Sequence, residues 1–176
     1  MLKRTLVAAA LSVAAMPVAM ADVDVTLNKV DESGTGESVG SVTLKDTQYG
    51  LLITPDIHGL TPGSMHGFHL HQNPSCQSST KDGEVTPAGA AGGHFDPADT
   101  GTHAGPYVED SHLGDLPVLM AGDEGNATTP VLAPRLKESD LAGHALVIHE
   151  GGDIYSEPPK LGGGGARWAC GVIESD

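Results

Sequence analysis

Apolar and polar residues alternate along much of the chain. Val23, Val25 and Leu27 are separated by polar neighbours, and Val39 to Leu44 is a second short-period run rich in β-branched residues. A period of two puts successive side chains on opposite faces of a strand, so both segments predict strands. The same reading predicts strands over Tyr49–Ile57, Met65–His71, Ala142–His149 and Ala169–Ile173. Ser33-Gly34, Thr61-Pro62-Gly63 and Lys81-Asp82-Gly83 supply turns between several of them. Helical periodicity is nearly absent, with one short turn expected within Leu136–Leu141. Two irregular stretches, about 72–115 and 150–167, are rich in Gly, Pro, Ser and Asp, and loops of that length in a compact domain are usually functional. Short strands joined by such loops predict an all-β antiparallel sandwich or barrel, with no repeat and no second domain.

Composition narrows the class of protein. A chain of 176 residues with 39% hydrophobic and 18% charged residues can bury a core in one domain and lacks the profile of a disordered chain. Nine Lys and Arg against 23 Asp and Glu leave a net charge of -14, which argues against nucleic acid as a partner, because phosphate backbones are bound by basic surfaces. At the N-terminus, Lys3 and Arg4 precede an apolar stretch from Leu6 to about Met16, then Ala19-Met20-Ala21 and Asp22. That pattern predicts a secretory signal peptide over residues 1–21 and a mature domain over 22–176. The stretch is shorter than the ~20 apolar residues of a spanning helix, so no membrane attachment is expected after cleavage. Loss of Lys3 and Arg4 makes the exported chain more acidic still. Cys76 and Cys170 then form an even pair in an oxidising destination, a candidate disulfide, with two buried thiols as the alternative.

Nine histidines carry the chemistry. In Gly67-Phe68-His69-Leu70-His71, strand alternation sends both imidazoles to one face and Phe68 and Leu70 to the other. His94, His103, His112 and Asp115 follow in the first long loop, among residues that cannot form a core of their own. Three imidazoles and one carboxylate fill a tetrahedral zinc shell and leave no open position, which argues against a zinc hydrolase. His149 ends a predicted strand and could join His69 and His71 in a nitrogen-rich site of the kind that suits copper. Asp153, four residues on, could accept hydrogen bonds from the outer nitrogens of ligand histidines. His58, His66 and His144 read as packed or surface residues without chemistry.

Taken together, Met65-His66-Gly67-Phe68-His69-Leu70-His71, Gly92-Gly93-His94-Phe95-Asp96-Pro97, His112-Leu113-Gly114-Asp115 and Gly164-Gly165-Ala166-Arg167-Trp168-Ala169-Cys170-Gly171-Val172-Ile173 resemble the copper,zinc superoxide dismutases, particularly their bacterial periplasmic members. The resemblance spans nearly all of the expected mature chain and implies an eight-stranded antiparallel Greek-key β-barrel with two long functional loops. It implies one copper ion on His69, His71, His94 and His149, and one zinc ion on His94, His103, His112 and Asp115, with His94 shared. It also implies a Cys76–Cys170 disulfide, Asp153 as a link between the two sites, and Arg167 beside the copper. The implied activity converts two superoxide anions and two protons to hydrogen peroxide and dioxygen in the periplasm, with Arg167 and His94 as the catalytic residues; the family includes both monomers and dimers, and the sequence leaves the assembly open, with a homodimer as one possibility. An anionic substrate approaching an acidic protein needs local positive potential; Arg167 supplies it first, and Lys81 is expected to widen the attractive region. The alternative is a non-catalytic copper- and zinc-binding protein of the periplasm, for which the ligands alone would suffice. Trp168 stands where relatives commonly carry a smaller apolar residue.

Overall fold

The structure is a computed structural model that describes residues 22–174; the expected signal peptide lies outside the described residues. Eleven strands follow one another along the chain: β1 (Val23–Asp31), β2 (Gly34–Thr47), β3 (Gly50–Ile57), β4 (Met65–His66), β5 (Phe68–His71), β6 (Ser79–Lys81), β7 (Glu84–Thr86), β8 (Leu119–Met120), β9 (Val131–Ala133), β10 (His144–His149) and β11 (Arg167–Ile173). No α-helix occurs among the described residues. Seven strands form one antiparallel sheet in the order β5-β10-β11-β1-β2-β3-β9. β4 continues β5 across Gly67 and pairs with β8, so the two count as one interrupted strand and β8 brings the array to the expected eight. Neighbours distant in sequence, such as β11 beside β1 and β3 beside β9, give the connectivity its Greek-key character.

Sequence alternation determines what lies inside. Leu27, Val42, Leu44, Leu51, Ile53, Ile57, Phe68, Leu70, Leu146 and Ile148 are buried together in the main core. Each large side chain contributes roughly 1.5–3 kcal/mol by burial. A second, smaller cluster of Val30, Cys76, Ala88, Ala91, Ala145, Val147 and Cys170 lies on the opposite face of β10 and β11. The first long loop covers that face, and the Cys76–Cys170 disulfide ties it to β11 across 94 residues of sequence. Consequently β5 and the last five residues of β10 are buried on both faces.

The outer edge of β5 is also used. Its backbone exchanges hydrogen bonds with the returning loop, from Phe95 N to Leu70 O (2.8 Å), Leu70 N to Gly114 O (2.9 Å) and Gln72 N to Gly93 O (3.0 Å). These contacts set His94 beside His71 and Asp115 beside His69.

The 72–115 stretch is less irregular than its composition predicts. It contains the β6–β7 hairpin, whose turn residues Asp82 and Gly83 both have positive φ, as a tight hairpin turn requires. The very short strands β8 and β9 have too few residues to show alternation and carry no sequence signal. The expected turn within Leu136–Leu141 is a 3-10 turn over Glu138–Asp140.

Candidate metal centre

His69 and His71 leave β5 on the face opposite Phe68 and Leu70 and enter the space between the barrel and its loops. His149 joins them from the end of β10, and His94 from the loop docked on the β5 edge. One ring nitrogen of each, His69 Nδ1, His71 Nε2, His94 Nε2 and His149 Nε2, is buried and has no hydrogen-bond partner. Ligand atoms of these four residues lie within 4.8 Å of one another.

The other nitrogens explain the arrangement. His69 Nε2 donates to Asp153 Oδ2 (2.8 Å), His71 Nδ1 to Gly92 O (3.0 Å), His149 Nδ1 to Gly165 O (3.1 Å) and His94 Nδ1 to Asp115 Oδ1 (2.8 Å). With its N–H committed outward, each ring presents a bare lone pair inward. Burial works in the same direction by disfavouring the cationic form. It pushes His69 down to about 3, His149 to about 4, and His71 well below the ordinary histidine value. His94 is lowered too, chiefly by burial and against the pull of Asp115. Four neutral imidazoles facing one point cost stability unless something accepts their lone pairs, since a buried unpaired polar atom costs about 1–3 kcal/mol. This donor set fits copper.

A second cluster adjoins the first. The Nδ1 atoms of His94, His103 and His112 all converge on Asp115 Oδ1, at 2.8, 3.1 and 3.3 Å. His69, His94, His103 and Asp115 also lie within ligand distance of one another. His69, however, has Nε2 engaged by Asp153 and Nδ1 turned to the first cluster, so His112 is the better fourth member. His94 belongs to both groups, with Nε2 in one and Nδ1 in the other. Three imidazoles and one carboxylate suit tetrahedral zinc.

Asp153 sits behind both clusters. Oδ2 accepts from His69 and Oδ1 from His103 Nε2 (2.9 Å) and Tyr155 N (2.7 Å). Burial alone would raise Asp115 and Asp153, but the ring donors around them hold both well below the usual carboxylate range. Burial opposes charge on His103 as well, yet hydrogen bonds to Asp115 and Asp153 keep its pKa up at about 9. Gly162 closes over this network in the left-handed region (φ 67°), and a Cβ there would lie 1.9 Å from Asp153 Oδ1.

The first cluster opens to solvent through a cavity of about 380 Å³ whose lining includes His71, His94, His149 and Arg167. Arg167 begins β11 opposite His149 and donates from Nη1 to Ala88 O and from Nη2 to Gly92 O (2.6 Å). Those carbonyls fix the guanidinium at the wall. The β6–β7 hairpin contributes Glu84, Val85 and Thr86 to the rim. Lys81 is exposed on β6, paired with Glu84 across the hairpin, and is not part of the lining.

The remaining histidines behave as structural residues. His66 is buried and bonded to Ser64 Oγ (2.5 Å) and, through Nδ1, to His149 O (2.7 Å). His144 meets the carbonyls of His71 and Gln72, and exposed His58 meets Asp56 and Asn126. Trp168 is accommodated under the Lys29 ammonium, 4.3 Å above its ring. The carbonyls of Ala88, Gly92 and Gly165 were not legible as site groups, because any residue type supplies a carbonyl. Glu84 at the rim carried no signal either, since its position depends on the hairpin.

The family model described as Copper/zinc superoxide dismutase (SODC) matches residues 38–173. Superoxide dismutase (Cu-Zn) 1 of Salmonella typhimurium is 57% identical over 152 residues, which is 85% of each chain. Among solved structures, the Cu/Zn superoxide dismutase from Brucella abortus superposes with a TM-score of 0.84 at 46% identity, covering 88% of this chain and all of that one. The solution structure of the monomeric enzyme from Salmonella enterica gives a TM-score of 0.77 at 52% identity, with 88% and 100% covered. Two adjoining histidine clusters that share one ring, on a barrel of this connectivity, agree with the sequence likeness, and the chain belongs to the copper/zinc superoxide dismutase family.

Proposed function

We propose that this chain is a superoxide dismutase in which His69, His71, His94 and His149 hold copper and His94, His103, His112 and Asp115 hold zinc. The observation that carries the assignment is the set of four buried, unpartnered imidazole nitrogens beside the cavity wall that bears Arg167. Copper, when bound, supplies the one-electron couple that oxidises one superoxide to dioxygen and reduces a second to peroxide, whereas d10 zinc takes no part in the redox chemistry. Two superoxide anions and two protons thereby become one dioxygen and one hydrogen peroxide.

The chain's own residues perform the remaining tasks. Arg167 attracts the small anion and orients it by hydrogen bonds from the guanidinium, which stays cationic at neutral pH even though burial lowers its pKa. His94 presents Nε2 to the cavity side, where that atom can hold a proton for the forming peroxide. Asp153 fixes the rings of His69 and His103 through the nitrogens turned away from the metal clusters, so these donors need little rearrangement. Lys81 adds positive potential at longer range, opposed by Glu84 across the hairpin.

A metal buffer would need the ligands but not a solvent cavity walled by a fixed arginine. Turnover decides between the two: the copper- and zinc-loaded protein consumes superoxide catalytically, and stoichiometric consumption would support the buffer instead. Export to the periplasm with cleavage before Asp22 follows from the N-terminal pattern, and a disulfide suits an oxidising compartment. Mass spectrometry of the exported protein tests the cleavage site. No helix among the described residues is long and apolar enough to cross a membrane. A homodimer is proposed for the assembled enzyme, to be tested by sedimentation, against the monomer described for Salmonella enterica.

A further inference from the structure

The zinc-side loop is fastened to the barrel by a residue outside every metal-binding motif. Arg135 follows β9 and lies between buried Ala133 and buried Leu136, so its backbone is anchored in the barrel wall. Its half-buried guanidinium reaches across to one short loop segment. Nε donates to Pro106 O (3.2 Å), Nη1 to Glu109 O (3.2 Å) and Ser111 O (3.1 Å), and Nη2 to His112 O (2.6 Å). All of these acceptors are main-chain carbonyls, and among the described residues no carboxylate forms an ion pair with Arg135. The side chain therefore fixes a backbone path through its hydrogen bonds, while Asp115 and Glu109 act on it only through space.

That path carries the ligands. His112 is itself one of the clamped residues. His112 N bonds Thr102 O (2.9 Å) and Ala104 N bonds Ser111 Oγ (2.9 Å), which carries the constraint to the residues flanking His103. Ser111 Oγ also donates to Asp115 Oδ2 (2.8 Å). The planar fork of arginine can serve several carbonyls at once, whereas the lysine ammonium is a single point of charge.

We infer that Arg135 is a positioning residue for zinc: it holds the 106–112 backbone so that His103, His112 and Asp115 are in ligand geometry before the ion arrives. The inference rests on the zinc assignment above. Apparent affinity falls in proportion to the fraction of protein whose site is formed, so loosening the clamp weakens zinc binding without removing a ligand.

The test measures zinc and copper affinities of the full mature chain by chelator competition, with amide hydrogen exchange of the metal-free protein. In the parent, one zinc binds per chain, and the Ala104 and His112 amides are protected without metal. In Arg135→Met, the zinc dissociation constant rises about tenfold or more, as for loss of other groups that orient ligands. Copper affinity changes far less, because His69, His71 and His149 sit on barrel strands, and Arg135→Lys recovers only part of the zinc loss. Unchanged zinc affinity in Arg135→Met overturns the inference even if its unfolding temperature falls. Equal losses of zinc and copper affinity also overturn it, by marking a general loosening. Unprotected Ala104 and His112 amides in the metal-free parent overturn it without reliance on any variant. A parent that binds no zinc removes the zinc assignment itself, an outcome distinct from the others.

Discussion

Arg167, proposed above to capture the anion, shows how far a single residue depends on its surroundings. Its guanidinium is held by the carbonyls of Ala88 and Gly92, and the same Gly92 carbonyl also receives the His71 N–H. The proposed anion site and one imidazole are thus referenced to one peptide. Replacing Arg167 with Ala removes the cation from the cavity wall and leaves the four imidazoles in place. The superoxide rate constant, followed by pulse radiolysis, should fall about tenfold and lose most of its salt dependence, while copper content stays near one per chain. An unchanged rate would exclude Arg167 from substrate capture. Arg167 was visible in the sequence through the motif around it. Its anchoring was not, because the two carbonyls come from a loop about 75 to 79 residues away.

At the scale of elements, the centre is an edge phenomenon. β5 uses one side to pair with β10 and the other to dock the returning loop, so His94 and Asp115 arrive beside His71 and His69. The loop has little apolar material of its own, and its order depends on that docking, on the Arg135 clamp and on the zinc-side cluster. His103 contributes to the last by contacting both Asp115 and Asp153. In His103→Ala, bound zinc should drop toward zero by elemental analysis, and amides of residues 95–115 should exchange faster while those of β1–β3 keep their protection. Full zinc retention would contradict the ligand assignment. Strand alternation was enough to place His69 and His71 on one face. The convergence of the loop histidines depends on hydrogen bonds to a strand edge that local sequence does not encode.

Across the whole molecule, two constraints act on stability. The Cys76–Cys170 bridge closes a span of 94 residues, and in the chain-entropy picture such a loop contributes roughly 4 to 5 kcal/mol. Denaturant unfolding of metal-free Cys76→Ala/Cys170→Ala should show a loss of that order, with the folded sheet retained by far-ultraviolet circular dichroism. The second constraint is the buried imidazole cluster. His69 and His149 have folded pKa values depressed to about 3 and about 4. The unfolded chain, with ordinary histidines near 6.5, binds more protons in this range. Their neutral burial is therefore fully compatible with folding above about pH 6.5 and becomes a growing penalty as the pH falls toward 4. His103 has the opposite sign, since its raised value of about 9 stabilises below 6.5 and is lost as pH rises toward 9. The unfolding temperature of the metal-free protein should decline steadily between pH 6.5 and 4, and a flat profile there would contradict burial of these rings in neutral form.

Sequence by itself determined the strand class, the main core, the inward pairing of His69 and His71 and the inventory of candidate metal-binding side chains, because each follows from residue type and a two-residue period. Likewise it marked Cys76 and Cys170 as a candidate pair. Tertiary structure decided what local pattern cannot express: the docking of a loop on the edge of β5, the anchoring of Arg167 by the Ala88 and Gly92 carbonyls, and the reach of Arg135 to four carbonyls. The physical reason is that these features depend on backbone atoms. Every residue carries the same amide and carbonyl, so their partners are chosen by the path of the folded chain and leave no trace in the identity of the residues that supply them.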